Sequence, residues 1–407
     1  MGVVIGLAQL GCFALGGILL LLPRRAQAIA TRLIALALIV GGLGMLLAEG
    51  VDVPLPLPWL HEQEPAALVV TGPAHYMVAG ILAWAAVGLW QHNDLSPPVR
   101  SGYGPGLMLV TSALTIFAVT IDHFLLRYVA LELVALVTAV CLAVALPAYR
   151  GPALLWRAYL PWRLGGGALL LAILVMERGT GALNIVAALS GALHMAPATR
   201  LVAGAGAAVA AWIKLGLPPF HGWLIDGARA SRVWWSLGNV LPLLGAYLLY
   251  RFQYVLAAPG VWLGITVLAG APIAVGLADA PRIAGRARVD VWAMAREWWP
   301  VWHGALAFPA VGLGLGPWYL ATFLPARLAL ATWASRRDAE PATEPTIGRE
   351  RPVAAMPAWL RMAVATAARL DGGLDALVTT HLARLVVHGV APAMHDLGRA
   401  EGISSSL

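Results

Sequence analysis

Long apolar runs separated by short polar segments dominate the chain. Runs such as 3–22 and 255–278 carry no charge, and each approaches the roughly 20 residues that an α-helix needs to cross a bilayer. They are much longer than the roughly ten-residue alternating strands of a membrane β-barrel. The pattern therefore predicts an all-α, polytopic membrane protein with about eleven transmembrane helices. The apolar segments lie near 3–22, 33–49, 66–90, 104–120, 126–148, 153–176, 199–216, 234–250, 255–278, 298–315 and 317–334.

The composition and the distribution of charge support this interpretation. The sequence is 60% hydrophobic and 12% charged, against roughly 25% charged residues in soluble domains. The net charge of +7 does not indicate nucleic-acid binding, because the arginines lie near helix ends rather than among aromatic residues. Thirteen arginines, Arg157 and Arg163 among them, are counted in odd-numbered connections and four in even-numbered ones. Because positive loops face the cytoplasm, we expect a cell (inner) membrane protein with its N-terminus outside.

The chain divides into three regions. Residues 1–334 form the predicted membrane domain, and 335–356 form a charged linker that contains three prolines. In the C-terminal region, 357–407, apolar residues recur at helical spacing. This spacing predicts amphipathic helices that lie on the membrane or pack against a partner. A short soluble tail is the alternative, and either would be cytoplasmic.

Common catalytic and cofactor motifs are absent from the sequence. It contains no phosphate-binding glycine loop, no dinucleotide fingerprint, no HExxH, no CxxC and no nucleophile elbow. Cys12 and Cys141 both lie in apolar runs, where they are expected as buried fillers rather than as a disulfide or metal ligands. We therefore expect no redox cofactor and no metal.

Two ionisable residues lie within apolar spans. Glu132 is in LLRYVALELVALVTAVCLAV, and Lys214, the only lysine of the chain, is in GAGAAVAAWIKLGLPPFHGWL. A charge at the bilayer centre costs about 2.5–3.5 kcal/mol, which a partner or a water-filled path usually offsets. A buried lysine loses its proton readily and an acidic neighbour restores its proton affinity, so such a pair suits a proton relay. The alternative is that both residues lie at helix ends and reach the interface.

Two features close to Lys214, and a third further along the chain, extend the candidate relay. Pro218 and Pro219 follow Lys214 closely and interrupt its helix, which a membrane tolerates only where the break is packed in protein or lines a cavity. His221 lies just after the break, where a side chain that titrates near neutral pH could pass protons. His303, in WPVWHGALAFPAVG, is a weaker candidate of the same kind.

At these residues the sequence resembles the antiporter-like subunits of respiratory complex I, Mrp-type antiporters, membrane-bound hydrogenases and energy-coupled inorganic-carbon transporters. The matching stretches are AAWIKLGLPPFHGWLIDGARASRVWWSLGNVLPLLGAYLLYRF, similar to the family's seventh and eighth helices, and DHFLLRYVALELVALVTAVCLAV, similar to its fifth. With the helix before each, the resemblance covers roughly 105–250.

The resemblance implies roles for individual residues. Glu132 takes the place of the family's helix-five glutamate and Lys214 that of its helix-seven lysine, a charge pair that gates half of a proton channel. His221, Trp223 and Asp226 match the loop after the broken helix. The sequence departs from the family at about Leu243, where a lysine or histidine is usual. It also has fewer helices than the family's fourteen, and its last two spans hold no lysine or glutamate.

The resemblance implies three functions that the sequence leaves open. The first is a proton-conducting subunit of a multisubunit, energy-coupled redox complex of the complex I or hydrogenase kind, with Glu132, Lys214, His221, Asp226 and His303 on the proton path. The second is the proton-coupling membrane subunit of an inorganic-carbon uptake complex with a soluble zinc-binding partner. The third is a structural membrane subunit that conducts nothing.

Overall fold

A computed structural model describes most of the membrane domain. The described residues are 2–21, 24–46, 51–55, 66–70, 72–93, 104–145, 151–224, 239–256, 270, 299–323 and 325–327. The linker 335–356, the C-terminal region 357–407, Asp226 and most of the apolar segment 255–278 lie outside them. The predictions for these parts of the chain remain predictions.

The described part is mostly α-helical, which confirms the main class of the fold. Three of its helices contain a segment long and apolar enough to cross a membrane: Ile29–Leu46, Phe124–Cys141 and Ala158–Thr180. The total of about eleven spans stays a prediction. The named helices are α1 (Gly2–Leu21), α2 (Arg24–Leu46), α3 (Pro73–Asn93), α4 (Gly104–Thr120), α5 (Phe124–Ala145), α6 (Gly151–Thr180), α7 (Ile185–Gly191), α8 (Pro197–Lys214), α9 (Val240–Arg251) and α10 (Ala307–Gly312). Residues 299–305 and 316–323 are also helical.

A small β-hairpin departs from the all-α prediction. Strands β1 (Val51–Leu55) and β2 (Ala66–Val70) pair antiparallel, so the apolar segment predicted over 66–90 is divided between a strand and α3. The division falls at Gly72, whose φ of +54° is a conformation that suits glycine. The proline that follows opens the helix, where its missing N–H is not needed.

Three connections meet at one end of the helical bundle. Leu68 forms a bridge with Ile121, and His123 forms one with Asn184. The connections α2–α3, α4–α5 and α6–α7 are thereby joined, so α3 to α6 must alternate in direction. The arginine distribution along the chain predicts the same alternation.

Asp122 links the three connections at this end. Its carboxylate accepts a hydrogen bond of 2.8 Å from Asn184 Nδ2 and lies 3.8 Å from Arg251 at the end of α9. Burial raises the pKa of the Asp122 carboxyl, while the hydrogen bond from Asn184 and the nearby arginines act in the opposite direction.

Helices α6 and α8 approach each other closely through small residues. A Cβ at Gly206 of α8 would lie 2.7 Å from the carbonyl oxygen of Ala168 on α6, so only glycine allows this separation. Without a hydrophobic force between helices in lipid, close packing of this kind is what holds membrane helices together. On the outer surface, apolar side chains of α2 such as Leu33, Leu36 and Val40 are exposed, as lipid contact requires.

Two arginines that the sequence analysis assigned to a connection lie inside a helix instead. Arg157 and Arg163 belong to α6, which begins at Gly151 and continues through Pro161. Proline is tolerated in a membrane helix because neighbouring groups can satisfy the freed backbone. Arg163 lies five residues, about 8 Å at 1.5 Å per residue, inside the apolar segment Ala158–Thr180.

The arginine distribution predicts the orientation of the bundle in the membrane. Reporter fusions within 93–102 and 279–297 should report the cytoplasm, and fusions within 50–64 should report the outside, because arginine-rich loops stay in the cytoplasm. Alkaline phosphatase and green fluorescent protein fusions measure the two sides. Reversed signals would contradict the predicted orientation.

The contact between α6 and α8 predicts the effect of one added methyl group. Gly206→Ala should destabilise the protein by about 1–3 kcal/mol, as overpacking of a tight contact does. The thermal unfolding midpoint of the detergent-solubilised protein measures this effect. Gly17→Ala is the control, since no atom lies within 4 Å of its added Cβ; equal midpoints for both variants would contradict the contact.

Candidate functional site

Lys214 is the last residue of α8 and is completely buried. The helix ends there because the chain turns at Leu215 and Gly216, where Gly216 has a φ of +67°, and the tandem prolines follow. The side chain is 0% exposed. Within the described residues, its Nζ has no hydrogen-bond partner. The alternative interpretation, in which Lys214 reaches the membrane interface, predicts a position at a helix end, as observed. It does not predict that the side chain is completely buried.

Glu132 of α5 is the acidic group that acts on this lysine. Its electrostatic attraction is felt at the Lys214 ammonium, and its side chain is 12% exposed. Its two oxygens differ: Oε2 accepts a hydrogen bond from Arg163 Nη1 of α6, whereas Oε1 has no partner among the described residues. The structure therefore brings Glu132 and Lys214 into one site and adds Arg163, which the sequence analysis had counted as a loop arginine.

Glycines of α6 make room for this arrangement. A Cβ at Gly166 would overlap the carboxylate of Glu132, and a Cβ at Gly165 would lie 3.3 Å from Ile213, the residue before Lys214. Thus α6 contacts the glutamate with one glycine and the lysine's helix with the preceding one. No sequence pattern singled out these glycines.

Two buried tryptophans lie next to the same site. Trp162 precedes Gly166 by about one helical turn, and its ring meets that of Trp223 edge-on at a centroid distance of 4.9 Å. The Trp223 ring in turn packs over Gly216. Both indole N–H groups are buried and have no hydrogen-bond partner in the described part of the chain. Together with Lys214, they give this region three buried donors without a hydrogen-bond partner among the described residues.

The loop after α8 holds His221 in a buried position. His221 is 6% exposed, and its carbonyl accepts from the N–H of Leu224 at 2.9 Å. The loop is fixed to α8 by the indole of Trp212, which donates to the carbonyl of Pro218 at 2.8 Å. Asp226, the next candidate along the chain, lies outside the described residues.

His303 belongs to a second buried polar cluster, centred on Arg327. The fully buried Arg327 donates from Nε to Nδ1 of His303 at 3.2 Å, from Nη1 to Asn239 Oδ1, and from Nη2 to the carbonyl of Pro300 at 2.6 Å. Since Nδ1 accepts this bond, a neutral His303 carries its proton on Nε2. No described contact joins His303 directly to Glu132 or Lys214.

Sequence reasoning missed Arg327 because its search of the last spans was for lysine and glutamate. The signal was available: Arg327 lies within the apolar segment predicted at 317–334. A guanidinium does not lose its proton in proteins, so this residue supplies a fixed positive charge. Its planar group also packs over the ring of Phe323, 4.3 Å from the centroid.

The described residues contain no group of three histidine, cysteine or acidic side chains that could hold a metal ion. The site consists instead of one carboxylate and two basic side chains on three helices. Of these groups, a carboxylate and an amine can take up and release protons, whereas the guanidinium keeps its charge.

Known structures place this fold among subunits of membrane complexes. The chain is similar to a chain of the Mrp complex from Dietzia sp. DQ12-45-1b, with a TM-score of 0.69, 21% identity, and coverage of 92% of this chain and 46% of that one. It is also similar to a chain of respiratory complex I from Thermus thermophilus, with a TM-score of 0.65 and 20% identity over 92% of this chain and 84% of that one. A third similar chain comes from the membrane-bound sulfane sulfur reductase, an archaeal respiratory membrane complex, with a TM-score of 0.60, 16% identity, and coverage of 94% and 69%.

These similarities confirm, at the level of the fold, the resemblance found in the sequence. No protein-family profile and no curated protein sequence matches the chain. The chain spans about half the length of its Dietzia counterpart, which agrees with a shortened form of the fold. In addition, α7 has only 7 residues, so α8 is the seventh long helix of the described residues, the position that the resemblance gives to Lys214.

The Arg327 cluster predicts that lysine cannot replace this arginine. Arg327→Lys keeps the charge but loses the fork of donors that reaches His303, Asn239 and Pro300, and an unsatisfied buried acceptor costs about 1–3 kcal/mol. The thermal unfolding midpoint should fall accordingly. Arg178→Lys, on an exposed residue at the end of α6, should leave it unchanged; equal midpoints for both variants would contradict the cluster's role.

Proposed function

We propose that this chain is a proton-conducting, antiporter-like subunit of a multisubunit, energy-coupled membrane complex. The observation that carries the proposal is the completely buried Lys214, whose electrostatic partner is Glu132 on a neighbouring helix. A buried charge of this kind in a membrane is expensive, and such residues commonly mark ion pathways. The shared fold with chains of the Mrp complex and of complex I supports the same function.

The pair would work as a proton switch. With Glu132 ionised nearby, the Lys214 ammonium is stabilised and keeps its proton. When Glu132 moves away or takes up a proton, the buried ammonium loses its compensation and releases a proton, because desolvation disfavours its charged form. A return of the carboxylate then favours reprotonation of the lysine.

His221 is the proposed next group on the path, and Asp226 would follow it. His221 lies in the buried loop that begins where the lysine's helix ends, and imidazole exchanges protons near neutral pH. We propose His303 as a station in the second half, where Nδ1 accepts from Arg327 and Nε2 is the ring nitrogen left to exchange a proton.

The solved similar chains favour a redox-linked complex as the setting. Two of them belong to respiratory complexes, so we propose that the partners of this chain include a redox module. An inorganic-carbon uptake complex with a soluble zinc-binding partner is the competing proposal. Copurification of the tagged chain from native membranes, followed by analysis of the partners for redox centres or zinc, distinguishes the two.

Substitution of either member of the pair tests the proposed function. Lys214→Met and Glu132→Gln each nearly preserve volume. Glu132→Gln leaves the buried Lys214 without its acidic partner, at a cost of about 3–5 kcal/mol for a truly buried pair, whereas Lys214→Met removes the buried cation that Glu132 attracts. Proton-coupled activity of the assembled complex should fall at least tenfold, a change that corresponds to about 1.4 kcal/mol. Proton uptake by energised native membrane vesicles measures this activity.

The double variant and a matched control complete the test. Because two residues that act as one unit are not additive, the double variant should be no less active than the worse single variant. Glu177→Gln, on a glutamate of α6 outside the site, should retain full activity. Full activity of Lys214→Met in an intact complex would instead favour the third possibility, a structural subunit.

A further inference from the structure

We propose that Arg163 is a second cationic partner of Glu132, and that the Glu132 carboxylate exchanges between Arg163 and Lys214 during proton transfer. The inference rests on the proposed function and assigns a step to it. Arg163 would act as a positioning residue that holds the carboxylate away from the buried lysine in one state of the cycle.

The contacts show the carboxylate engaged with one of its two possible partners. Glu132 Oε2 is hydrogen-bonded to Arg163 Nη1, while Oε1 and the Nζ of Lys214 have no hydrogen-bond partner among the described residues. The attraction between Glu132 and Lys214 is nevertheless present. The structure therefore shows one state, with the carboxylate bound to arginine and the lysine without a hydrogen bond.

The three side chains differ in their access to the surroundings. Arg163 is 51% exposed and Glu132 is 12% exposed, whereas Lys214 is 0% exposed. A carboxylate that exchanges between the first and the last of these would carry charge between the accessible and the closed part of the site.

The glycines of α6 provide the path for this movement. Gly166 lies three residues after Arg163 and therefore on the same face of the helix, and its missing side chain leaves the space that the carboxylate occupies. Gly165 contacts Ile213, which precedes Lys214. The two glycines thus leave an open surface on α6 that extends from Arg163, past the Glu132 carboxylate, to the helix that bears Lys214.

The other ionisable groups around the carboxylate are two tyrosines. Tyr128 is one turn before Glu132 on α5 and interacts with it electrostatically. Tyr159 of α6 lies under the Arg163 guanidinium, 5.6 Å from its ring centroid. Neither carries a positive charge, so of the groups that interact with Glu132 in the described residues, Arg163 and Lys214 are the two cations.

Substitution of Arg163 tests the exchange through charge. Arg163→Gln should lower proton-coupled activity of the complex about tenfold, within the range for charged neighbours that act together. Its activity–pH curve should also differ from that of the wild type, because the variant loses the positive charge next to the carboxylate. Arg163→Lys should restore most of the activity and the original pH curve.

Substitution of the neighbouring glycines tests the exchange through space. Gly166→Ala places a methyl group where the carboxylate lies and should lower activity about as much as Arg163→Gln. Gly167→Ala is the matched control, because no atom lies within 4 Å of its added Cβ. Arg178→Gln, at the exposed end of the same helix, is the control for the loss of an arginine.

The outcomes separate this inference from the function on which it rests. Reduced activity in Arg163→Gln and Gly166→Ala, with rescue by lysine and normal subunit abundance, supports the exchange. Wild-type activity and pH dependence in Arg163→Gln, while Glu132→Gln is inactive, overturn the exchange and leave the proposed function intact. Failure of lysine to rescue, or equal activities of the Gly166 and Gly167 variants, also overturns the exchange. Full activity in Glu132→Gln and Lys214→Met overturns both.

Discussion

A positive charge buried inside a membrane domain is the constraint on which the arrangement of this protein depends. Lys214 is completely enclosed, and the cost of placing a charge in hydrocarbon favours a nearby compensating group. Glu132 supplies it from another helix, so the positions of α5 and α8 are linked by electrostatics as well as by packing. The end of α8 at the lysine then places the following loop, with His221, against the same buried region.

Helix α6 is the element that makes this linkage possible. It packs against both α5 and α8, and its glycines let the glutamate on one side and the lysine's helix on the other approach its backbone. The same helix carries Arg163, which binds the glutamate. From the sequence alone, α6 is only one more apolar span. In the structure it is part of the candidate proton site, to which it contributes its glycines and Arg163.

The second half of the domain also contains a buried positive charge, which is compensated in a different way. Arg327 is also completely buried, yet it is held by neutral acceptors on His303, Asn239 and Pro300 rather than by a described carboxylate. Hydrogen bonds to a charged donor are stronger than those between neutral groups, which helps such a group to remain buried. The Glu132–Lys214 pair and the hydrogen-bonded Arg327 thus occupy two different parts of one chain.

The sequence by itself determined the membrane class and the helical content, and it singled out Glu132 and Lys214 as ionisable residues within apolar runs. These follow from composition and from interruptions of apolar runs, which are local properties. It did not determine the β-hairpin, because a short apolar run such as residues 66–70 is compatible with a strand as well as with a helix. Only the tertiary structure decided that Arg163 meets Glu132 and that Arg327 meets His303, because these contacts join residues 31 and 24 positions apart. The physical reason is that periodicity along a chain specifies which face of a helix is polar or apolar, whereas the partner of that face depends on how the helices pack.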